Sequence, residues 1–242
     1  EINAAKRLLP KLRSQHPRMN FVWLADSIYA TKPFIESVTQ NGEHYIFRIK
    51  QGNHKHLYEC LDTAEYQSHK STMGSTSIAY RWYHEIPLNK DSNTKVTVVK
   101  AFTISKGKDG KQKSTIAGVW ATNLEVDKIN IAQITKAARA RWRIENQCFN
   151  TLKNFGYELT HNWGHLKGGS FNFYILIMLA FYIHQILEFT DQLFQWCRKV
   201  CVTYDDLWDE LLGMFKLLLF ESWEHMLIHL LDNNGIDPPQ IV

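Results

Sequence analysis

Between Asp127 and Gly156 the sequence is committed to one conformation more firmly than anywhere else in the chain. Asp127 and Asn130 are candidate helix N-caps, and Gly156 is a candidate stop just past the helix end. Between them Ile134, Ala137, Ala138, Arg141, Ile144, Glu145, Cys148, Phe149 and Leu152 recur at helical spacing. Most of that stripe is apolar, as a packed helix requires. Arg141 and Glu145 interrupt it, four residues apart and so on one face. A carboxylate set in an apolar face is costly unless a cation meets it. Arg141 itself would serve, as an i,i+4 partner. A divalent metal would serve equally, leaving Arg141 to hold a phosphate, and the spacing allows both.

The first fifty residues point to an α/β fold. Residues 2–15 read as a helix, with Ile2, Ala5, Leu8, Leu9 and Leu12 among basic residues and Pro10 interrupting the pattern. Phe21 to Ala25 is a short continuous apolar run, the mark of a buried central strand, and Asp26 ends it. An Asp there is commonly a turn residue, yet the carboxyl ends of strands in α/β sheets are also where ligands bind. Thr31 to Asn41 reads as a helix with Thr31 as N-cap, Pro33 in the first turn and Gly42 beyond the end. His44 to Lys50 reads as the next strand.

The middle is strand-rich. Tyr80–Ile86, Lys95–Ile104 and Ser114–Thr122 are candidate strands, and Asp109-Gly110 is a hairpin-turn signal among four lysines. Those lysines suit either a solvated turn or a polyanionic partner. His54 and His56 fall in what reads as a polar loop. Further on, His161 and His165 have metal-pair spacing, but Gly164 argues against a continuous helix there. Phe171 to Phe189 is long and apolar enough to suggest a membrane span. Asn172, His184, Gln185 and Glu188 lie within it, which favours a buried core helix in a protein with no membrane role. Residues 203–233 form a last helical region.

Four cysteines (Cys60, Cys148, Cys197, Cys201) make no zinc pattern; Cys197 and Cys201 read as buried thiols and a reducing cytoplasm is expected. The formal net charge of +4 is unevenly spread. Residues 203–242 hold one Lys against eight acids, whereas residues 1–202 hold 27 Lys and Arg against 16 acids. A basic body suits a polyanionic partner.

Arg141-Trp142-Arg143-Ile144-Glu145, with Phe149 and Leu152-Lys153 after it, resembles the signature helix of bacterial DDE transposases of the insertion-sequence-four group. That signature runs Tyr-x2-Arg-x3-Glu-x6-Lys. Arg141 and Glu145 fit it by spacing. Ala138 stands at the Tyr position, Leu152 at the Lys position, and Lys153 comes one residue late. Leu24 to Ile35, around Asp26, resembles the second-Asp motif of the same group, in the expected order.

The resemblance implies a partial ribonuclease-H-like core with a β-rich insertion and C-terminal helices. Its parts would be residues 1–50 and 125–202 for the core, 51–124 for the insertion, and 203–242 for an acidic helical region. It implies that Asp26 and Glu145 are catalytic and hold Mg²⁺, with Mn²⁺ as substitute. Arg141, Trp142, Arg143 and Lys153 would contact double-stranded DNA at transposon ends and targets, in a homodimer near the nucleoid. Trp142 suits the core equally well. The family's first Asp has no counterpart, because Asp26 is the one Asp ahead of residue 62. The chain alone is therefore expected to be inactive, as part of a longer enzyme or as a DNA-binding remnant.

Overall fold

The computed structural model describes residues 1–73, 76–90, 93–106, 112–161, 164 and 168–237. The chain divides into two compact units, Glu1–Trp142 and Arg143–Val242.

The first unit is a mixed α/β body. Its elements are α1 (Ile2–Gln15), β1 (Val22–Ala25), α2 (Lys32–Gln40), β2 (His44–Arg48), α3 (Lys55–Thr63), β3 (Gln67–Met73), β4 (Thr76–Pro87), β5 (Lys95–Lys106), β6 (Gln112–Thr122) and α4 (Ile131–Arg143). The six strands form one sheet in the order β1-β2-β6-β5-β4-β3. The expectation of a buried central strand before Asp26 does not hold: β1 is an edge strand paired on one side only, with Val22 exposed and Trp23 to Ala25 half-buried. Only β1 and β2 are parallel, with Val22 opposite His44 and Ala25 opposite Phe47. A parallel neighbour requires a crossover, and α2 supplies it. Every other pairing is antiparallel. The strand-rich middle of the chain thus extends the sheet that β1 and β2 begin. The Asp109-Gly110 turn lies outside the described residues.

Alternation along the strands sends side chains to two helical layers. On one face Tyr45, Phe47, Val96, Val98, Val119 and Ala121 meet Leu9 of α1, Phe34 and Val38 of α2 and Leu57 of α3. On the other, Ile46, Tyr80, Trp82, Val99 and Trp120 meet Ile131, Ile134 and Ala138 of α4. Pro10 lies inside α1 without ending it. Thr31 is the N-cap of α2 and Gly42 takes a positive φ of 69° just beyond it, as the sequence suggested. The expected loop around His54 and His56 is instead the start of α3. His54 is buried, with its ring nitrogens on the carbonyls of Ala30 and Lys50, so it ties loops together.

The second unit is helical: a π-helical turn (Ile144–Phe149), α5 (Asn150–Asn154), α6 (Gly169–Thr190), α7 (Gln192–Val200), α8 (Tyr204–Leu217) and α9 (Trp223–Asn233). Leu193, Phe194, Cys197, Leu207, Leu211, Leu227 and Leu230 form its core. Three short connections end in side-chain caps: Asp191 accepts from the Phe194 amide, Thr203 and Asp206 form a capping box, and Ser222 accepts from the His225 amide. Cys197 and Cys201 are buried free thiols, as expected. His161 is described, whereas His165 lies outside the described residues.

The expectation that Phe171–Phe189 is a buried core helix does not hold. None of the residues of α6 is buried, and Phe171, Leu176, Leu179, Tyr182 and Phe189 are more than half exposed. Phe181, His184, Leu187 and Glu188 of α6 form a stripe that faces Tyr157, Tyr204 and Trp208. A helix apolar on every side carries more apolar surface than one flank of neighbours can cover. By length and composition alone, α6 is also sufficient to cross a membrane.

Candidate active site

Asp26 follows the last residue of β1, and Lys50 lies two residues past the end of the parallel neighbour β2. Both therefore stand at the carboxyl end of the parallel pair, the edge where α/β sheets bind ligands. The turn after β1 fixes the carboxylate. Its Oδ1 accepts the Ser27 amide at 2.6 Å and lies 3.9 Å from the Lys50 ammonium. The Asp26 carbonyl accepts the Tyr29 amide, and the buried Ser27 hydroxyl accepts Asn53 Nδ2 at 3.1 Å.

The Ser27 amide holds the Asp26 carboxyl below the usual carboxylate range; partial burial opposes this, and the charges of Lys50, Arg141 and Arg48 assist it. Asp26 is thus an ionised, partly open carboxylate at neutral pH. Lys50, Arg141 and Arg48 thus all act electrostatically on this one carboxylate.

Arg48 is held by its own packing. Its guanidinium lies 5.2 Å from the Trp120 ring centroid and donates to the Ala117 carbonyl at 3.4 Å. The arrangement requires Gly118, because a Cβ there would overlap both the Trp120 ring and the Arg48 guanidinium. Sequence reasoning passed over Arg48 and Lys50. Their signal was available only once β2 was known to run parallel to the strand ending at Asp26.

The signature segment departs from an uninterrupted helix. Asp127 and Asn130 do form the start of α4: Asp127 Oδ1 accepts the amides of Ile129 and Asn130, and Asn130 Oδ1 accepts that of Asp127. Ile131, Ile134 and Ala138 are buried, whereas Ala137 is exposed. The backbone then widens into the π-helical turn, where the Asn150 amide bonds to the Glu145 carbonyl. None of the turn's residues is buried, and Ile144 and Phe149 are 50% and 42% exposed. The apolar stripe expected through residue 152 is therefore broken. Trp142 is 64% exposed, which excludes it from the core. Arg143, Glu145 and Lys153 are exposed, while Leu152 is fully buried. The helix ends as anticipated, with Gly156 at φ 83° beyond the Phe155 cap.

Asp26, Arg48, Lys50 and Arg141 belong to the first unit, Glu145 and Lys153 to the second. Carboxylate oxygens are the donors Mg²⁺ takes, and Asp26 and Glu145 suit it by chemistry and exposure. No cluster of three metal-ligating side chains occurs among the described residues.

No curated protein matches this chain. A family model, the transposase DDE domain, matches residues 1–179 and so takes in the Asp26 turn, the whole sheet and the Arg141–Lys153 segment. DDE transposases carry out transposition and DNA recombination, cutting and joining DNA strands, generally with divalent metal ions. With most of its length inside that match, the chain belongs to the transposase DDE domain family.

Proposed function

We propose that this chain is the later part of an insertion-sequence-four-group transposase core, of ribonuclease-H-like fold with a β-rich insertion. In the whole enzyme it would act in Mg²⁺-dependent cleavage and strand transfer at insertion-sequence ends. The observation that carries this reading is Asp26: an ionised carboxylate at the carboxyl end of a parallel strand pair, among Lys50, Arg48 and Arg141. It stands within a segment matched by the transposase DDE domain.

In this reading Asp26 and Glu145 are two of the carboxylates that hold Mg²⁺ or, in its place, Mn²⁺. The metal, when bound, activates the attacking oxygen and stabilises the leaving one. The chain's own residues position DNA. Arg141 and Arg143 take phosphates, Arg141 with the fork geometry that suits two oxygens at once. Trp142, exposed beside them, offers a face for stacking. Lys153 takes a further phosphate. The DNA would be double-stranded, held by a homodimer in the cytoplasm near the nucleoid. The carboxylate pair needs a third member for full activity, so the chain by itself should not catalyse transposition.

A crystal structure grown with Mn²⁺ tests the metal proposal directly. Metal density at the Asp26 and Glu145 carboxylates is expected, lost in Asp26→Asn. Density at neither carboxylate would leave the second reading, a catalytically inactive DNA-binding remnant. The basic residues around Asp26 favour that second reading to the same degree, because their charge would attract DNA with or without metal.

A further inference from the structure

We infer that the π-helical turn at Ile144–Phe149 is an absorbed one-residue insertion that keeps Lys153 on the face of Glu145 and turns Leu152 into the core. The inference rests on the transposase reading for what Lys153 touches, but not for where it points.

An α-helix advances about 100° per residue. Lys153 lies eight residues after Glu145, so an uninterrupted α-helix would leave it roughly 80° away around the axis. Leu152, at seven residues, would fall within roughly 20° of Glu145 and share its outward face. The structure shows the reverse pattern of exposure. Leu152 is fully buried, whereas Glu145 and Lys153 are both exposed.

The Asn150 amide bonds to the Glu145 carbonyl, five residues back rather than four. A turn closed this way takes in one more residue than an α turn. Removing that one step from the count brings Lys153 to within roughly 20° of Glu145. It carries Leu152 roughly 120° off that face, in keeping with its burial. The turn is placed where Glu145 and Lys153 are separated, which is the one interval whose length departs from the family's spacing. π-helical turns occur inside α-helices and are frequent at functional sites.

Lys153 is therefore a positioning cation on the carboxylate's face, about two helical turns away, where a polyanion lying along that face would meet it. Leu152 is the anchor that holds the turn closed from the inside.

Two measurements on the whole chain test this, one for register and one for DNA. Deleting Asn146, an exposed residue of the turn, should let the segment close as plain α-helix with every later side chain where it was. The melting temperature should stay within about 2 °C of the parent. If the turn absorbs nothing, the deletion swings Leu152 out of the core and lowers the melting temperature by roughly 10 °C, which overturns the proposal. Exchanging the pair, Leu152→Lys with Lys153→Leu, reads the same point without a deletion. It should abolish folding or lower the melting temperature by a similar amount, since an ammonium would be forced into the core. A stable exchange variant would overturn it.

For DNA, binding to a mixed-sequence duplex is followed against salt concentration. Lys153→Ala should reduce the slope of log K against log salt by about one, with no change in melting temperature, and so should the same substitution in the Asn146 deletion. Lys216→Ala, on the acidic C-terminal helices, should leave the slope unchanged. If Lys153→Ala behaves like Lys216→Ala, Lys153 is not facing the polyanion and that half of the inference fails. If the parent chain binds no duplex at all, the transposase reading fails instead, while the melting temperatures still decide the register.

Discussion

Substituting Gly118 by Ala tests whether the site's charge is held in place by packing. A Gly to Ala change in a strand ordinarily stabilises a fold by about 0.4–1 kcal/mol, by restricting the unfolded chain. Here the opposite sign is expected. The new Cβ would overlap the Trp120 ring and the Arg48 guanidinium, and Trp120 is only 4% exposed, so it has nowhere to swing. Overpacking of this kind costs about 1–3 kcal/mol. For a domain of this size that is a fall of about 3–10 °C in melting temperature. Arg48 would also leave its seat over Trp120, which removes one cation from the neighbourhood of Asp26. Duplex affinity should therefore drop together with stability. Calorimetry on a double-mutant cycle supplies the control. In a Trp120→Ala background the ring is gone, and Gly118→Ala should be neutral or mildly stabilising, a coupling of more than 1 kcal/mol. A Gly118→Ala protein as stable as the parent, or additivity across the cycle, would refute the packing argument.

Lys50→Gln should raise the Asp26 pKa, because the Lys50 charge helps to depress it. A depressed carboxylate stabilises the fold above its unfolded value near 3.9 and loses that contribution as pH falls through its folded value. The acid-dependent loss contributed by Asp26 should thus be smaller in Lys50→Gln and complete at a higher pH; at pH 7 the stability difference should be under about 1 kcal/mol, since the Lys50 side chain is 61% exposed. Carboxyl NMR titration of Asp26 reads the direction, and an unmoved or lowered pKa would reject the pairing. Replacing Leu176, Leu179 and Tyr182 with Gln should change the melting temperature by no more than about 1–2 °C per site while raising solubility, because all three are more than half exposed. A large loss of stability would show that these faces of α6 are covered in solution. Cys197, fully buried and with its thiol pushed up to about 12 by that burial, should resist a maleimide at pH 8 until the chain unfolds. Rapid labelling of native Cys197 would contradict the helical core of the second unit.

How far the sequence revealed this architecture depended on how local the signal was. The strand before Asp26, the helix capped at Thr31, the strand from His44 and the caps at Asp127, Asn130 and Gly156 all rest on neighbouring residues, and all were legible as elements; that β1 lies at the sheet's edge rather than buried in its centre was not, because strand order is non-local. The pairing of β2 with β1 on one side and β6 on the other is non-local. Without it, Arg48 and Lys50 read as two more basic residues on a strand. The misjudgement of α6 has a different origin. Polar residues inside Phe171–Phe189 point in sequence to a core, but His184 and Glu188 lie on the one stripe that meets Tyr157 and Tyr204. Composition reports how apolar a helix is, not how many of its sides have a neighbour.

The position of Lys153 shows why residue counts alone misjudge a motif. Counted in residues, Glu145 and Lys153 are one step too far apart, and Leu152 stands where a cation is expected. A DNA strand meets a face, however, and a face is set by angle around the axis. One i→i+5 closure at the Asn150 amide changes that angle by about one residue's worth without removing any residue from the helix. The buried Leu152 is the internal check, since a leucine at full burial beside a lysine in solvent is what the widened turn produces and an uninterrupted α-helix with Glu145 outward does not. An apparent departure from the family's spacing and an apparent irregularity of the helix are thus a single feature, each accounting for the other.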